Sequence, residues 1–198
     1  MREYNGGLTR EQFLFYEIRI MATLVSQGYT KAEAIEKIKE ENLFQFPTER
    51  MTASIANTCF QRLSALESDA LVYHLANATA DVAKQINLYA MVKHNAIVWD
   101  FMTTVVGEKF RTQEFEFSKK DLNVFMFQLR EQNDAVASWS EGTIAKIKQV
   151  LTKCLVECEF LDGVRATMLN PVSIAPELED EIRLNNDTAA LAAFNCLR

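Results

Sequence analysis

Apolar residues recur every three or four positions along most of the chain, the spacing that places them on one face of an α-helix. The clearest case runs from Gly142 to about Cys158, where Ile144, Ile147 and Leu151 share one face. Ser140 stands just before this segment, where a hydroxyl can accept a hydrogen bond from a free backbone amide of the first turn. The pattern therefore predicts a long, capped amphipathic helix.

Further segments have the same helical spacing. They begin near Thr9, Thr30, Pro47, Ser68, Thr79, Ile97, Ser118, Pro176 and, after a predicted cap at Asp187, in an alanine-rich terminal stretch. The pairs Thr9 with Gln12 and Thr30 with Glu33 have the spacing of a capping box, in which two backbone amides are satisfied reciprocally. Most of the chain is therefore predicted to be helical.

Two regions depart from helical spacing. Residues 111–117 alternate polar and aromatic side chains, which predicts a short strand or an extended linker. After the turn signal at Asp162 and Gly163, two short β-type runs, 164–169 and 172–174, predict a small β-hairpin. A helix followed by such a hairpin is typical of a winged helix-turn-helix.

The predicted fold class is mostly α, with two helical lobes that contain helix-turn-helix elements. The N-terminal helical domain spans residues 1–112, and the winged helix-turn-helix-like domain with its small β-hairpin spans residues 113–198. In the N-terminal lobe, residues 30–66 could form the other helix-turn-helix.

The helix after Ser140 carries a basic outer stripe. No acidic residue occurs between Gly142 and Val156, although the chain as a whole has a net charge of −6. A helix with such a face can enter the major groove of DNA while a hairpin touches the backbone. The predicted DNA-contacting residues in this half are Thr143, Lys146, Lys148, Gln149, Lys153, Arg165 and Thr167. The alternative is a solvated lysine face on a purely structural helix.

A second, smaller surface is predicted on the helix that follows Pro47. Arg50, Asn57 and Arg62 are the candidates for DNA contacts there. The alternative is an ordinary solvated face on which Glu49 offsets Arg50.

Composition and motifs argue against an enzyme. The chain has 198 residues, six glycines and two histidines, and it contains neither a phosphate-binding GxxxxGK[ST] loop nor a GxSxG elbow. Cys154 and Cys158 could offer two thiolates to a metal, but no further ligands follow nearby, and core packing is the expected role. We therefore predict no catalytic residues, no metal and no cofactor.

The sequence also predicts the compartment. Four cysteines show no disulfide framework, no apolar segment suggests a signal peptide, and no stretch approaches the roughly 18 apolar residues of a membrane helix. A cytoplasmic protein without a membrane span is expected.

Several segments carry a resemblance to a known family. They are Tyr4–Thr9 with Phe13–Phe15, Glu41–Arg50, Gln85–Ala90, and Trp139-Ser140 with Thr143–Lys148. Over essentially its full length the chain resembles the BrxA family of BREX (bacteriophage exclusion) phage-defence systems. The resemblance implies a mostly helical accessory protein that binds double-stranded DNA through helix-turn-helix elements, beside other BREX components. It also implies some similarity in fold to the RNA-binding antitermination factor NusB. RNA binding is therefore one alternative. A protein-interaction scaffold is another, because the net charge of −6 and the cluster of acidic residues near the C-terminus could meet a basic partner.

Overall fold

The computed structural model describes residues 4–196 and is mostly helical, which confirms the predicted class. The chain divides into two compact units. Unit 1 comprises residues 4–13, Asn95–Ile174 and residues 182–196; unit 2 comprises Leu14–His94 and Ala175–Glu181. The predicted domain boundary between residues 112 and 113 thus falls inside unit 1. Among the helices of residues 4–196, none is both long and apolar enough to cross a membrane.

Unit 2 is a bundle of helices. They are α1 (Phe15–Ser26), α2 (Lys31–Glu40), α3 (Glu49–Leu66), α4 (Asp69–Asn77) and α5 (Ala80–His94). Helices α1 and α5 each pack against both α3 and α4, while α2 packs against α3. Every residue from Gln85 to Val92 is buried, because α5 is enclosed on all sides by its neighbours.

Local capping signals decide where several helices begin. The capping box of Thr30 and Glu33 is formed as predicted at the start of α2. The predicted cap at Thr9 is wrong, because Thr9 ends a 3-10 turn and its hydroxyl donates to the carbonyl oxygen of Gly6 at 2.9 Å. Helix α1 begins only at Phe15, after Leu14 adopts the left-handed conformation with φ of 51°.

Unit 1 is built around a long helical segment. It consists of α6 (Ala96–Asp100), a π-helical stretch (Phe101–Val106) and α7 (Gly107–Thr112), and further along the chain come α8 (Lys119–Gln132), α9 (Asp134–Ala137) and α10 (Glu141–Glu157). The aromatic core of this unit places the ring of Phe101 5.4 Å from Phe125 and 6.2 Å from Phe117, centroid to centroid. These edge-to-face contacts anchor α8 on the π-helical stretch.

The C-terminal part of the chain returns to both units. Helix α11 (Pro176–Leu184) begins in unit 2 and ends in unit 1, and a 3-10 helix (Thr188–Phe194) follows. Asp187 does not cap this helix through its side chain, contrary to prediction. Gly107 allows the 3-10 helix to approach, since a Cβ at this position would lie 2.8 Å from the carbonyl oxygen of Ala192.

The predicted wing is wrong. Residues 164–169 and 172–174 do not pair with each other, and no strand occurs within residues 4–196. The first run instead meets the extended segment before α8: Glu116 and Met168 form an isolated antiparallel bridge. Two backbone groups of the first run, the carbonyl oxygen of Thr167 and the amide of Leu169, bond to Phe117 and Phe115 instead of to the second run.

Candidate nucleic-acid interface

Helix α10 carries the strongest candidate surface, and its start is fixed as the sequence predicts. The hydroxyl of Ser140 accepts a hydrogen bond of 3.1 Å from the backbone amide of Thr143. The apolar face of the helix is buried; it consists of Ile144, Ile147, Val150, Leu151, Cys154 and Leu155. Burial of this face sets the rotation of α10 and turns its basic stripe away from the core.

The opposite face of α10 bears two lysines, Lys146 and Lys153, with Gln149 between them. Gln149 and Lys153 are exposed and Lys146 is half-buried. Within residues 4–196, neither Lys146 nor Lys153 forms an ion pair. Other cations of the chain do have a carboxylate within 4.0 Å, among them Lys37, Lys39, Lys93, Lys109, Arg111 and Arg130. Lys146 and Lys153 are therefore available to an external anion.

Two other predicted residues of α10 are engaged within the protein. The hydroxyl of Thr143 lies 3.0 Å from that of Ser140, and its methyl group lies 3.9 Å from an ideal Cβ placed on Gly6. The amino group of Lys148 donates to the side-chain oxygen of Asn123 at 2.9 Å, which ties α10 to α8. Both residues have a structural contact in addition to the predicted DNA contact.

Arg165 and Thr167 lie in the loop after α10 and are exposed. A cavity of about 330 Å³ lies between this loop and helices α8 and α10. Its lining includes Arg165 and Thr167 of the loop, Thr152 of α10 and Lys119 of α8. Thr152 directly precedes Lys153, so the structure brings the loop candidates to the middle of α10. Lys119 was not among the predicted contacts, although it directly follows Ser118, which caps α8, and therefore lies in the first turn of that helix.

The N-terminal candidates do not form one surface. Arg50 is exposed, and Asn57 is half-buried with its amide donating to the carbonyl oxygen of Ala53 at 2.9 Å. Arg62 is only 1% exposed, so its predicted place on a DNA-contacting surface is wrong. The reason is helical periodicity, because Arg62 lies seven residues after Ile55 and three after Cys59, both on the buried face of α3.

A second cavity, of about 450 Å³, lies along the other side of α8 and is predominantly acidic. Its charged lining consists of Glu108, Glu114, Glu116, Asp121, Lys109 and Lys120. The amino group of Lys109 lies 3.0 Å from a carboxylate oxygen of Asp121. Burial alone would raise the pKa of Asp121, but hydrogen bonds from Lys109 and Ser118 and the positive charge of Lys109 outweigh burial and lower it. This side of α8 therefore disfavours a polyanion.

Comparisons with known proteins agree on one family. The BrxA family model matches residues 2–186. Three proteins described as BREX protein BrxA are similar: one from Bacillus cereus is 32% identical over 80% of this chain and 78% of its own. One from Paramagnetospirillum magneticum is 25% identical over 86% of this chain and 85% of its own. One from Escherichia coli is 25% identical over 88% of this chain and 81% of its own.

A solved structure shares this fold. A crystal structure of an uncharacterized protein from Magnetospirillum magneticum superposes with a TM-score of 0.81 and 23% identity, covering 96% of this chain and 97% of that protein.

Proposed function

The chain belongs to the BrxA family, and we propose that it is a non-enzymatic, DNA-binding component of a BREX phage-defence system. One observation carries the proposal: an acidic chain, of net charge −6, has no acidic residue between Gly142 and Val156 of α10, and Lys146 and Lys153 in this stretch form no ion pair within residues 4–196. Exposed cations without internal partners are the groups that release counterions when they bind phosphate.

Helix α10 is the element that would meet the duplex. Lys146 and Lys153 are seven residues apart, about 10.5 Å along the helix axis. That separation corresponds to roughly three base pairs at 3.4 Å each. The two lysines would then contact phosphates, Gln149 between them would reach a base edge, and Arg165 would add a further phosphate contact from the adjoining loop. This arrangement needs no β-hairpin wing.

Interaction with another BREX component is a second candidate function, and a separate surface favours it. Val124 and Phe127 of α8 are exposed apolar residues, and Val124 also lines the acidic cavity. An apolar surface beside carboxylates suits a basic protein partner better than it suits nucleic acid. DNA binding would use the basic face of α10, and protein binding would use the exposed residues of α8. The two functions are therefore compatible with each other.

A gel-shift series over salt concentration tests the proposal on the wild-type protein. Size-matched duplex DNA and structured RNA are compared at equal salt, which also tests the NusB-like alternative. We expect duplex DNA to bind more tightly and its affinity to fall linearly on a plot of log K against log[salt]. Absence of salt-dependent DNA binding, or a preference for the RNA, would overturn the proposal.

A further inference from the structure

The cavity between α8, α10 and the loop that follows α10 has a composition unlike the rest of this acidic chain. We call it the basic groove; among the described residues its charged lining consists of Lys119 and Arg165, without a carboxylate. Neither cation forms an ion pair within the part of the chain that the structure describes. Two unneutralised cations at one cavity favour an anionic ligand group.

The remaining lining includes both apolar side chains and side chains with hydroxyl groups. Phe117, Leu122 and Leu161 are buried and form the floor, while Val164 at the rim is 69% exposed. A ligand that covered Val164 would gain from its burial. The apolar lining therefore suits a flat, weakly polar group beside the anionic one.

The hydroxyl groups are placed to orient such a ligand. Thr152 donates its hydroxyl hydrogen to the carbonyl oxygen of Lys148 at 2.9 Å, so its oxygen remains available as an acceptor. The hydroxyl of Thr167 makes no hydrogen bond within residues 4–196. Two amides at the start of α8 are already used within the protein: the amide of Lys120 donates to the Ser118 hydroxyl, and the amide of Ser118 donates to the carboxylate of Asp121.

We propose that the basic groove binds a single nucleotide, with its phosphate between Lys119 and Arg165 and its base against the apolar floor. The volume of about 330 Å³ lies at the small end of the range of roughly 300–1,000 Å³ for small-molecule sites, which suits a mononucleotide. This proposal rests on the proposed function in one respect: the choice of a nucleotide as the ligand assumes that the protein binds nucleic acid. The nucleotide comes either from a DNA end or from free solution.

Titration calorimetry of the full chain with 5′-deoxyadenosine monophosphate tests the groove. Lys119→Ala should weaken binding about tenfold or more, the usual effect of losing a charge-assisted hydrogen bond. Lys120→Ala is the matched control, because Lys120 is the neighbouring exposed lysine and lines the acidic cavity instead. Deoxyadenosine, which lacks the phosphate, should bind far more weakly. No binding at millimolar nucleotide, or an equal loss in both variants, would overturn the inference.

The two sources of the nucleotide are separated with DNA of one sequence in two forms. If the groove takes a terminal nucleotide, an open duplex with a short overhang should bind more tightly than a closed dumbbell, and Lys119→Ala should remove the difference. If the ligand is free nucleotide, the monophosphate binds but the two DNA forms bind equally. Duplex binding without nucleotide binding overturns the groove and leaves the proposed function intact. Nucleotide binding without duplex binding overturns the proposed function and leaves the groove as a nucleotide site.

Discussion

The backbone amide of Phe117 donates a hydrogen bond of 2.8 Å to the carbonyl oxygen of Thr167. A second bond, from the amide of Leu169 to the carbonyl oxygen of Phe115 at 2.7 Å, runs in the opposite direction. Together they hold the loop that carries Arg165 against the segment that leads into α8. The position of a predicted DNA contact therefore depends on a long-range pairing rather than on a local hairpin.

Phe117 should be essential for this arrangement. Its ring is buried against Phe101, so Phe117→Ala should lower the free energy of unfolding by about 3–5 kcal/mol, as large-to-small core changes do. Phe127→Ala is the control, because Phe127 is 63% exposed and surface changes usually stay within about 0.5 kcal/mol. Urea denaturation of both variants measures the difference, and equal stabilities would contradict the packing described.

Features encoded by neighbouring residues could be predicted from the sequence. Ser140 caps α10, Thr30 pairs with Glu33, and Ser118 pairs with Asp121, because each cap depends on residues only three positions apart. The basic face of α10 followed from the same local periodicity. The predicted Thr9 cap is wrong because the Thr9 hydroxyl donates to the carbonyl oxygen of Gly6 in a 3-10 turn, and this turn packs against α10.

The cap at Ser140 gives a direct test of how α10 is fixed. Ser140→Ala should cost about 1 kcal/mol, which corresponds to a fall in Tm of roughly 2–4 °C for a chain of this size. Ser140→Asn keeps a side-chain acceptor and should restore most of the loss. Thermal unfolding followed by circular dichroism measures both, and a wild-type Tm for Ser140→Ala would show that the hydrogen bond to Thr143 adds nothing.

Contacts between distant segments could not be predicted. The units themselves are discontinuous in sequence, since residues 4–13 and 175–181 each join a unit formed mainly by another part of the chain. The ion pair between Lys109 and Asp121 and that between Arg130 and Glu141 likewise depend on how helices pack. No local pattern of charge identifies such partners, so the basic groove could not be recognised from the sequence.

Acid should weaken the ion pair between Lys109 of α7 and Asp121 of α8. The pKa of Asp121 is lowered in the folded state, so its charge stabilises the fold above the ordinary aspartate pKa of about 3.9. This contribution is lost as the pH falls through the lower folded value. Asp121→Asn should therefore be less stable than the wild type at neutral pH. The gap between their free energies of unfolding should narrow in acid. Denaturation at several pH values measures the gap, and a constant gap would contradict a role for the carboxylate charge.

Arg50 and Arg62 should behave differently when replaced. Arg50→Ala removes an exposed side chain and should leave the free energy of unfolding within about 0.5 kcal/mol of wild type. Arg62→Ala removes one of the largest fully buried side chains and should cost more than about 1 kcal/mol. If Arg50→Ala combined with Asn57→Ala leaves DNA affinity unchanged, unit 2 has no DNA-contacting role. Equal stability of the two single arginine variants would contradict the burial of Arg62.

The slope of log K against log[salt] for duplex DNA tests most directly whether α10 and its loop bind phosphate. Each lost phosphate contact should flatten the slope by about 0.9, so the Lys146→Ala, Lys153→Ala, Arg165→Ala triple variant should lose about two to three units. The control replaces Lys37, Lys39 and Arg111, three cations already paired with Glu41, Glu36 and Glu108, and changes the net charge equally. Its slope should stay near that of the wild type. A wild-type affinity and slope in the first triple variant, with thermal stability unchanged, would place DNA binding elsewhere or exclude it.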